Sequence, residues 1–210
     1  MAFTTSVATR WLELAARFVD GNAERLTELD SAIGDGDHGT NLARGLAAAV
    51  TAVQTNAPAT PGAVLRATGS ALISGTGGAF GPLLGTGMRR AGKALGEDEP
   101  AAVHTVAKAL TAMLSGMQEL GGAVLGDKTA VDALAPAVTA FDNASASGAD
   151  LAAAASAAAD AADDGRDQTV AMQARKGRAS YLGERSIGTA DPGATSMALI
   201  VAALAEAALR

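Results

Sequence analysis

Asp30, Asp35, Asp37 and His38 stand within nine residues, in the run LDSAIGDGDHGTN, with Gly34, Gly36 and Gly39 between and after them. Glycine lets the backbone fold back on itself, so carboxylates at this spacing can converge on one point. Converging carboxylates repel one another unless a cation sits among them. The chain has no cysteine and only two histidines, so the oxygen-rich set points to Mg²⁺ or Ca²⁺ rather than zinc. Helix capping offers a second explanation: Asp37 caps a helix beginning at His38, and Asp35 adds favourable charge at its N-terminus. Capping accounts for one or two acids but not for Asp30 as well, and the two explanations are compatible. Magnesium is favoured if a phosphate ligand completes the shell.

Other readings of the same residues fail on physical grounds. The string GDGDHG matches the glycine fingerprint of dinucleotide-binding folds, but that motif needs a preceding strand and bare backbone against the pyrophosphate. Asp35 and Asp37 would place negative charge there instead. A calcium loop of the EF-hand type starting at Asp35 or Asp30 would need its bidentate glutamate at Leu46 or Asn41. No lysine-containing phosphate loop of the Walker type occurs in the chain.

Three further clusters could serve an anionic ligand. Gly75 to Gly87, GTGGAFGPLLGTG, can present backbone amides of a helix start to phosphate, or it can be a tight junction between helices. Gly126, Asp127, Lys128 and Thr129 form a polar helix start at which Asp127 would be the cap. Gln173 to Asp191 is nineteen residues without clear helical periodicity and carries Arg175, Lys176, Arg178 and Arg185. A loop of that length inside a helical protein is usually functional or disordered, and this one suits a basic lid over phosphate.

The elements that must position these residues are helical. Aromatic residues make up 3% of the chain and alanine dominates, which favours helix and leaves a sheet short of the residues it prefers. Periodicity predicts helices over 5–21, 23–33, 38–53, 61–74, 78–95, 99–120, 128–141, 149–172 and 192–209, an all-α chain of eight or nine helices in an antiparallel bundle. The alanine-rich run 151–164 is read as a closely packing helix with a solvated acidic end. His104 is expected to be an ordinary helix side chain and Trp11 to be core. At 210 residues one domain spanning 1–210 is expected. A net charge of −6 argues against nucleic acid as partner. No signal peptide is expected, because Arg10, Glu13 and Arg17 interrupt the first apolar stretch, and the segment 194–209 is too weakly apolar for a membrane span.

Four blocks, LDSAIGDGDHGTN, GGAFGPLLGTG, GDKTAVDAL and KGRASYLGERSIGTADPGATS, together resemble the nucleotide-binding L subunit of bacterial dihydroxyacetone kinase, from about Trp11 to the C-terminus. The resemblance implies a barrel of eight antiparallel helices with the nucleotide and two Mg²⁺ ions bound at one end. It implies Asp30, Asp35 and Asp37 as metal ligands, and His38, Gly39, Thr40 and Asn41 along the nucleotide phosphates. It further implies that Ala79 and Phe80 contact the nucleotide and that Gly121 and Ala130 border the base or ribose. Arg178 would neutralise phosphate, and Asp191, Pro192 and Gly193 would close over the nucleotide. Phe80 stands where the family commonly has serine, which leaves backbone contacts there in place of a hydroxyl.

The family's chemistry implies a cytoplasmic phosphotransferase subunit with no nucleophile of its own. A separate K subunit would hold dihydroxyacetone, and this chain would bring the phosphoryl donor to it. ADP would remain bound as a cofactor, rephosphorylated by a phosphohistidine carrier, the M subunit of the phosphoenolpyruvate-dependent system. Rival readings keep the chemistry but use exchangeable ATP or another short keto sugar such as erythrulose. A further reading is a nucleotide-dependent module that acts on a transcription regulator. A fatty-acid kinase domain is a more distant relative, since its acidic turn typically has threonine where this chain has His38.

Overall fold

A computed structural model describes residues 2–209. Among them there are nine α-helices and no strand: α1 (Thr5–Gly21), α2 (Ala23–Ile33), α3 (His38–Asn56), α4 (Pro61–Gly75), α5 (Phe80–Leu95), α6 (Val103–Gly121), α7 (Ala130–Ala146), α8 (Leu151–Gln168) and α9 (Pro192–Ala207). Short 3-10 segments cover Thr169–Ala171 and Arg178–Ser186. In packing order α1 lies against α3, and α3 through α9 each lie against the next. α9 returns to α1, so eight helices close a ring, with α2 seated on α3. This arrangement is compatible with the expected eight-helix barrel.

The helix starts follow from caps that the sequence supplies. Thr4 and Thr60 accept the backbone N–H groups of Val7 and Ala63 at the starts of α1 and α4, and Pro61 supplies a fixed φ at the first position of α4. Asp191 followed by Pro192 opens α9 in the same way, its carboxylate accepting Ala194 N at 2.7 Å. The start of α7 departs from expectation. Its cap is Thr129, in a reciprocal capping box with Asp132, and Asp127 instead turns back to accept Val124 N at 2.9 Å. α6 begins at Val103 rather than near residue 99, because Ala101 exchanges two backbone hydrogen bonds with Phe3.

The core is built largely from small side chains, so helices approach closely. Ala154, Ala155, Ala158 and Ala162 form the buried face of α8. Trp11 is buried, with its Nε1 donating to Ile200 O at 2.8 Å. One close approach is between α4 and α5: a Cβ on Gly69 would lie 2.4 Å from Gly85 O, and one on Gly85 would lie 2.6 Å from Gly69 O. No side chain larger than hydrogen fits there. That contact fixes the two helices that hold the loop Thr76–Ala79 between them.

Candidate functional site: an acidic turn facing a basic strap

One end of the ring opens into a cavity of about 770 Å³, the size expected for a small-molecule or cofactor site. Four structures meet on it: the turn between α2 and α3, the loop between α4 and α5, the start of α7, and the segment 173–191, here called the strap.

Asp30 leaves the last turn of α2, Asp37 immediately precedes α3, and Asp35 lies between them. One carboxylate oxygen from each comes within 4.8 Å of the others. The expected capping by Asp37 is not what the backbone uses. Asp30 Oδ2 accepts both Asp37 N, at 2.9 Å, and His38 N, at 3.2 Å, while Asp37 makes no side-chain cap bond. Asp30 therefore closes the turn and caps α3 from seven residues upstream. Capping does not account for Asp37, and its carboxylate remains available to a ligand. Three hard oxygen donors at this spacing suit Mg²⁺ or Ca²⁺.

His38 is half-buried beside them. His38 Nε2 lies 2.9 Å from Ser196 Oγ, within hydrogen-bond reach, and that hydroxyl is also 3.1 Å from Gly193 O. The ring meets Phe80 edge to face with centroids 4.8 Å apart. Burial holds the imidazole below its ordinary pKa, against the opposing fields of Asp30 and Asp37.

The loop between α4 and α5 presents Gly77, Gly78, Ala79 and Phe80 to the cavity. A Cβ on Gly77 would lie within about 3 Å of the Asn41 amide, and Gly78 takes a positive φ of 70°. α5 has no side-chain cap, which leaves the unpaired N–H groups of its first turn for a ligand. The opposite wall is apolar, formed by Leu83, Met117, Leu120 and Val131, a surface suited to a flat base.

The strap supplies the positive charge. It is two 3-10 turns joined at Gly183, where φ is 58° and ψ is −130°. Arg178 Nη2 sits 3.0 Å from Asp35 Oδ2, and Lys176 also lines the cavity. At the base of the strap Asp191 is buried and its carboxyl is pushed up to about 7, chiefly by desolvation. The Ala194 N–H and Lys128 pull the other way, while Asp132 and Asp30 add to the rise.

The structure brings Asp30, Asp35, Asp37, His38, Asn41, Ala79, Phe80, Gly121, Ala130, Arg178, Asp191, Pro192 and Gly193 to this one cavity. Gly39 and Thr40 do not line it. Gly39 is buried, where a Cβ would lie 2.0 Å from Ala23 O, and Thr40 donates to Asp37 O and faces the outer side of α2. In a helix beginning at His38, residues 39 and 40 turn away while 38 and 41 share a face. Lys128, in a helix start already read as able to serve an anionic ligand, does line the cavity, but as a buried side chain. Its block, GDKT, was visible, but nothing local distinguishes a buried lysine from a solvated one.

The site thus has the form of an all-α domain with a cluster of three carboxylates, a glycine loop and an arginine around one ligand-sized cavity. The chain belongs to the DAK2 domain family, whose model it matches over residues 32–206. It is 38% identical over 208 residues to the PEP-dependent dihydroxyacetone kinase ADP-binding subunit DhaL of Escherichia coli K12, covering 99% of each chain. It is also 38% identical over 205 residues to L-erythrulose 1-kinase of Mycolicibacterium smegmatis, covering 93% of this chain and 34% of that one. The fold is similar to the dihydroxyacetone kinase from C. freundii in complex with AMP-PNP and Mg²⁺. That match has a TM-score of 0.73 and 27% identity, over 98% of this chain and 34% of the kinase. The chain therefore spans about a third of those longer kinases. No helix among the described residues is long and apolar enough to cross a membrane.

Proposed function

We propose that this chain is the ADP- and Mg²⁺-binding subunit of a cytoplasmic dihydroxyacetone kinase, a single nucleotide-binding domain over 1–210 that works with separate partner chains. The observation that carries the proposal is the convergence of Asp30, Asp35 and Asp37 within 4.8 Å at the mouth of a cavity of about 770 Å³. Near full-length similarity to an ADP-binding subunit supports it.

In this reading Asp30, Asp35 and Asp37 hold two Mg²⁺ ions against the nucleotide phosphates. The ions would neutralise charge on the transferring phosphoryl group and hold its oxygens in line. Backbone N–H groups at the start of α5 and the guanidinium of Arg178 bind the remaining phosphate oxygens. The apolar wall of Leu83, Met117 and Leu120 receives the base, and Phe80 and Ser196 fix the ring of His38 beside the phosphates. The hydroxyl beside His38, that of Ser196, is fully buried and does not line the cavity, which suits direct transfer to an acceptor hydroxyl on a K subunit rather than a covalent intermediate. ADP stays bound and is rephosphorylated by the M subunit, a phosphohistidine carrier.

A second reading, in which ATP exchanges as substrate and erythrulose is the acceptor, is favoured by the similarity to L-erythrulose 1-kinase. Reconstitution with a K subunit separates the two. Dihydroxyacetone phosphate formed with the phosphorylated carrier and catalytic ADP supports the first reading. Product formed only with stoichiometric ATP, or only from erythrulose, supports the second. No product under any condition refutes both.

A further inference from the structure

Lys128 is the most deeply buried cation in the described chain, with 1% of its surface exposed. It is also one of only two non-glycine residues there with positive φ, at 61°. That conformation costs an L-residue about 1–2 kcal/mol, so the backbone bends unfavourably to send this side chain inward.

The side chain ends at the neck of the strap. Nζ donates to Thr169 O and to Thr189 O, each at 2.5 Å, so one ammonium ties together the segment's entry and its exit twenty residues later. Beside it, Gly188 N donates to Val170 O at 2.8 Å and Asp191 N to Thr169 Oγ1 at 2.9 Å. Arg175 N reaches Asp127 O at 3.0 Å, and the Ser186 hydroxyl cross-links the two arms through Ala174 N and Gly183 O. Asp191 and Asp132 supply the negative charge facing Lys128. An ammonium suits this place because it offers three donors and a charge to a site rich in carbonyls and carboxylates.

We infer that Lys128 is a positioning residue for nucleotide binding: its buried ammonium closes the neck of the strap and so holds Arg178 over the acidic turn. The inference rests on the nucleotide reading above. Arg178 itself is 70% exposed and is held at its tip by the ion pair with Asp35, so the backbone that carries it there depends on how the strap is tied down. The acidic turn is closed by Asp30 and meets the strap through the exposed Arg178–Asp35 pair rather than through Lys128, so opening the neck should weaken nucleotide binding far more than metal binding.

The test is Lys128→Met, which keeps length and removes donors and charge. ADP affinity in Mg²⁺ is expected to fall about tenfold or more, the scale of losing hydrogen bonds to a charged group. Binding of Mg²⁺ alone should stay within about twofold. Without nucleotide, trypsin should cut the strap at Arg175, Lys176, Arg178 or Arg185 faster than in the unaltered protein. The conservative rescue uses the chain's lack of cysteine. Lys128→Cys, aminoethylated in denaturant and refolded, regains a lysine-like ammonium and should recover ADP binding and strap protection. It also serves if Lys128→Met does not fold. Unchanged ADP affinity with an unchanged cleavage rate overturns the inference, as does parallel loss of Mg²⁺ and ADP binding or failure of aminoethylation to restore either property. If the unaltered protein binds no ADP, the nucleotide reading falls, while the cleavage rates still decide whether Lys128 holds the strap.

Discussion

The acidic turn and the basic strap face each other across the same cavity but are built by opposite means. The turn is local: Asp30 bonds to backbone seven and eight residues ahead, and everything needed to bring three carboxylates together lies between positions 30 and 38. The strap is held from a distance, by Lys128 about forty and sixty residues away and by Asp127. A locally closed element can form wherever its residues are neighbours in the chain. A remotely tied one exists only once α7, α8 and α9 have packed. The acidic turn should therefore survive insults that dismantle the strap.

The largest effect is expected where the local half is broken. Asp37→Ala or Asp35→Ala should lower Mg²⁺-dependent ADP affinity by about a hundredfold or more by calorimetry, because the proposed metal shell loses a charged donor. A loss below about threefold would remove these residues from the shell.

The remote half should yield a smaller and differently shaped loss. Arg178→Ala should weaken ADP binding about tenfold. Binding of Mg²⁺ alone should be unchanged or slightly tighter, since the guanidinium 3.0 Å from Asp35 competes for that carboxylate. Equal losses for both ligands would erase the distinction between the two halves.

The anchor of the strap should also register in pH dependence. Asp191 titrates near 7 when folded and near 3.8 unfolded, so the folded state binds the proton more tightly. Its contribution favours folding below about pH 4 and is lost as pH rises through about 7. In metal-free protein, chemical denaturation should show Asp191→Asn, which keeps a capping oxygen, removing part of the stability decline between pH 5 and 8. The expected size is on the order of 1 kcal/mol or more. An unaltered decline would mean that the carboxylate is already ionised at pH 5.

The smallest effect is purely structural. Thr129→Ala removes one arm of the capping box beside Lys128 and should cost about 1 kcal/mol, or about 2–4 °C in melting temperature. Mg²⁺ affinity should not change.

The same contrast explains what could be read from the sequence. α1 and α2 fall on the expected residues because their periodicity and punctuation are local. The convergence of Asp30, Asp35 and Asp37 was legible for the same reason, since the glycines that fold the turn lie between them. What failed was non-local. The start of α6 is displaced by Phe3 pairing with Ala101, a contact between residues nearly a hundred positions apart. Asp37 and Asp127 were both read as caps by position, but Asp30 and Thr129 do that work once the turns fold back. The role of Lys128 is set by two carbonyls that only the tertiary fold brings to it.

The glycine contact between α4 and α5 gives the site a mechanical tolerance. Ordinary contact for a Cβ begins near 3.4 Å, and a methyl on Gly69 would start 2.4 Å from the carbonyl of Gly85, so the helices would have to separate by about 1 Å. Both helices end at the loop Thr76–Ala79, so that wedge would pass directly into the spacing between the α5 amides and the carboxylates opposite. Misplacement on that scale, caused far from the reacting atoms, can cost about a hundredfold in rate. The two glycines act as a gauge block: they contribute no group to the cavity and set its width.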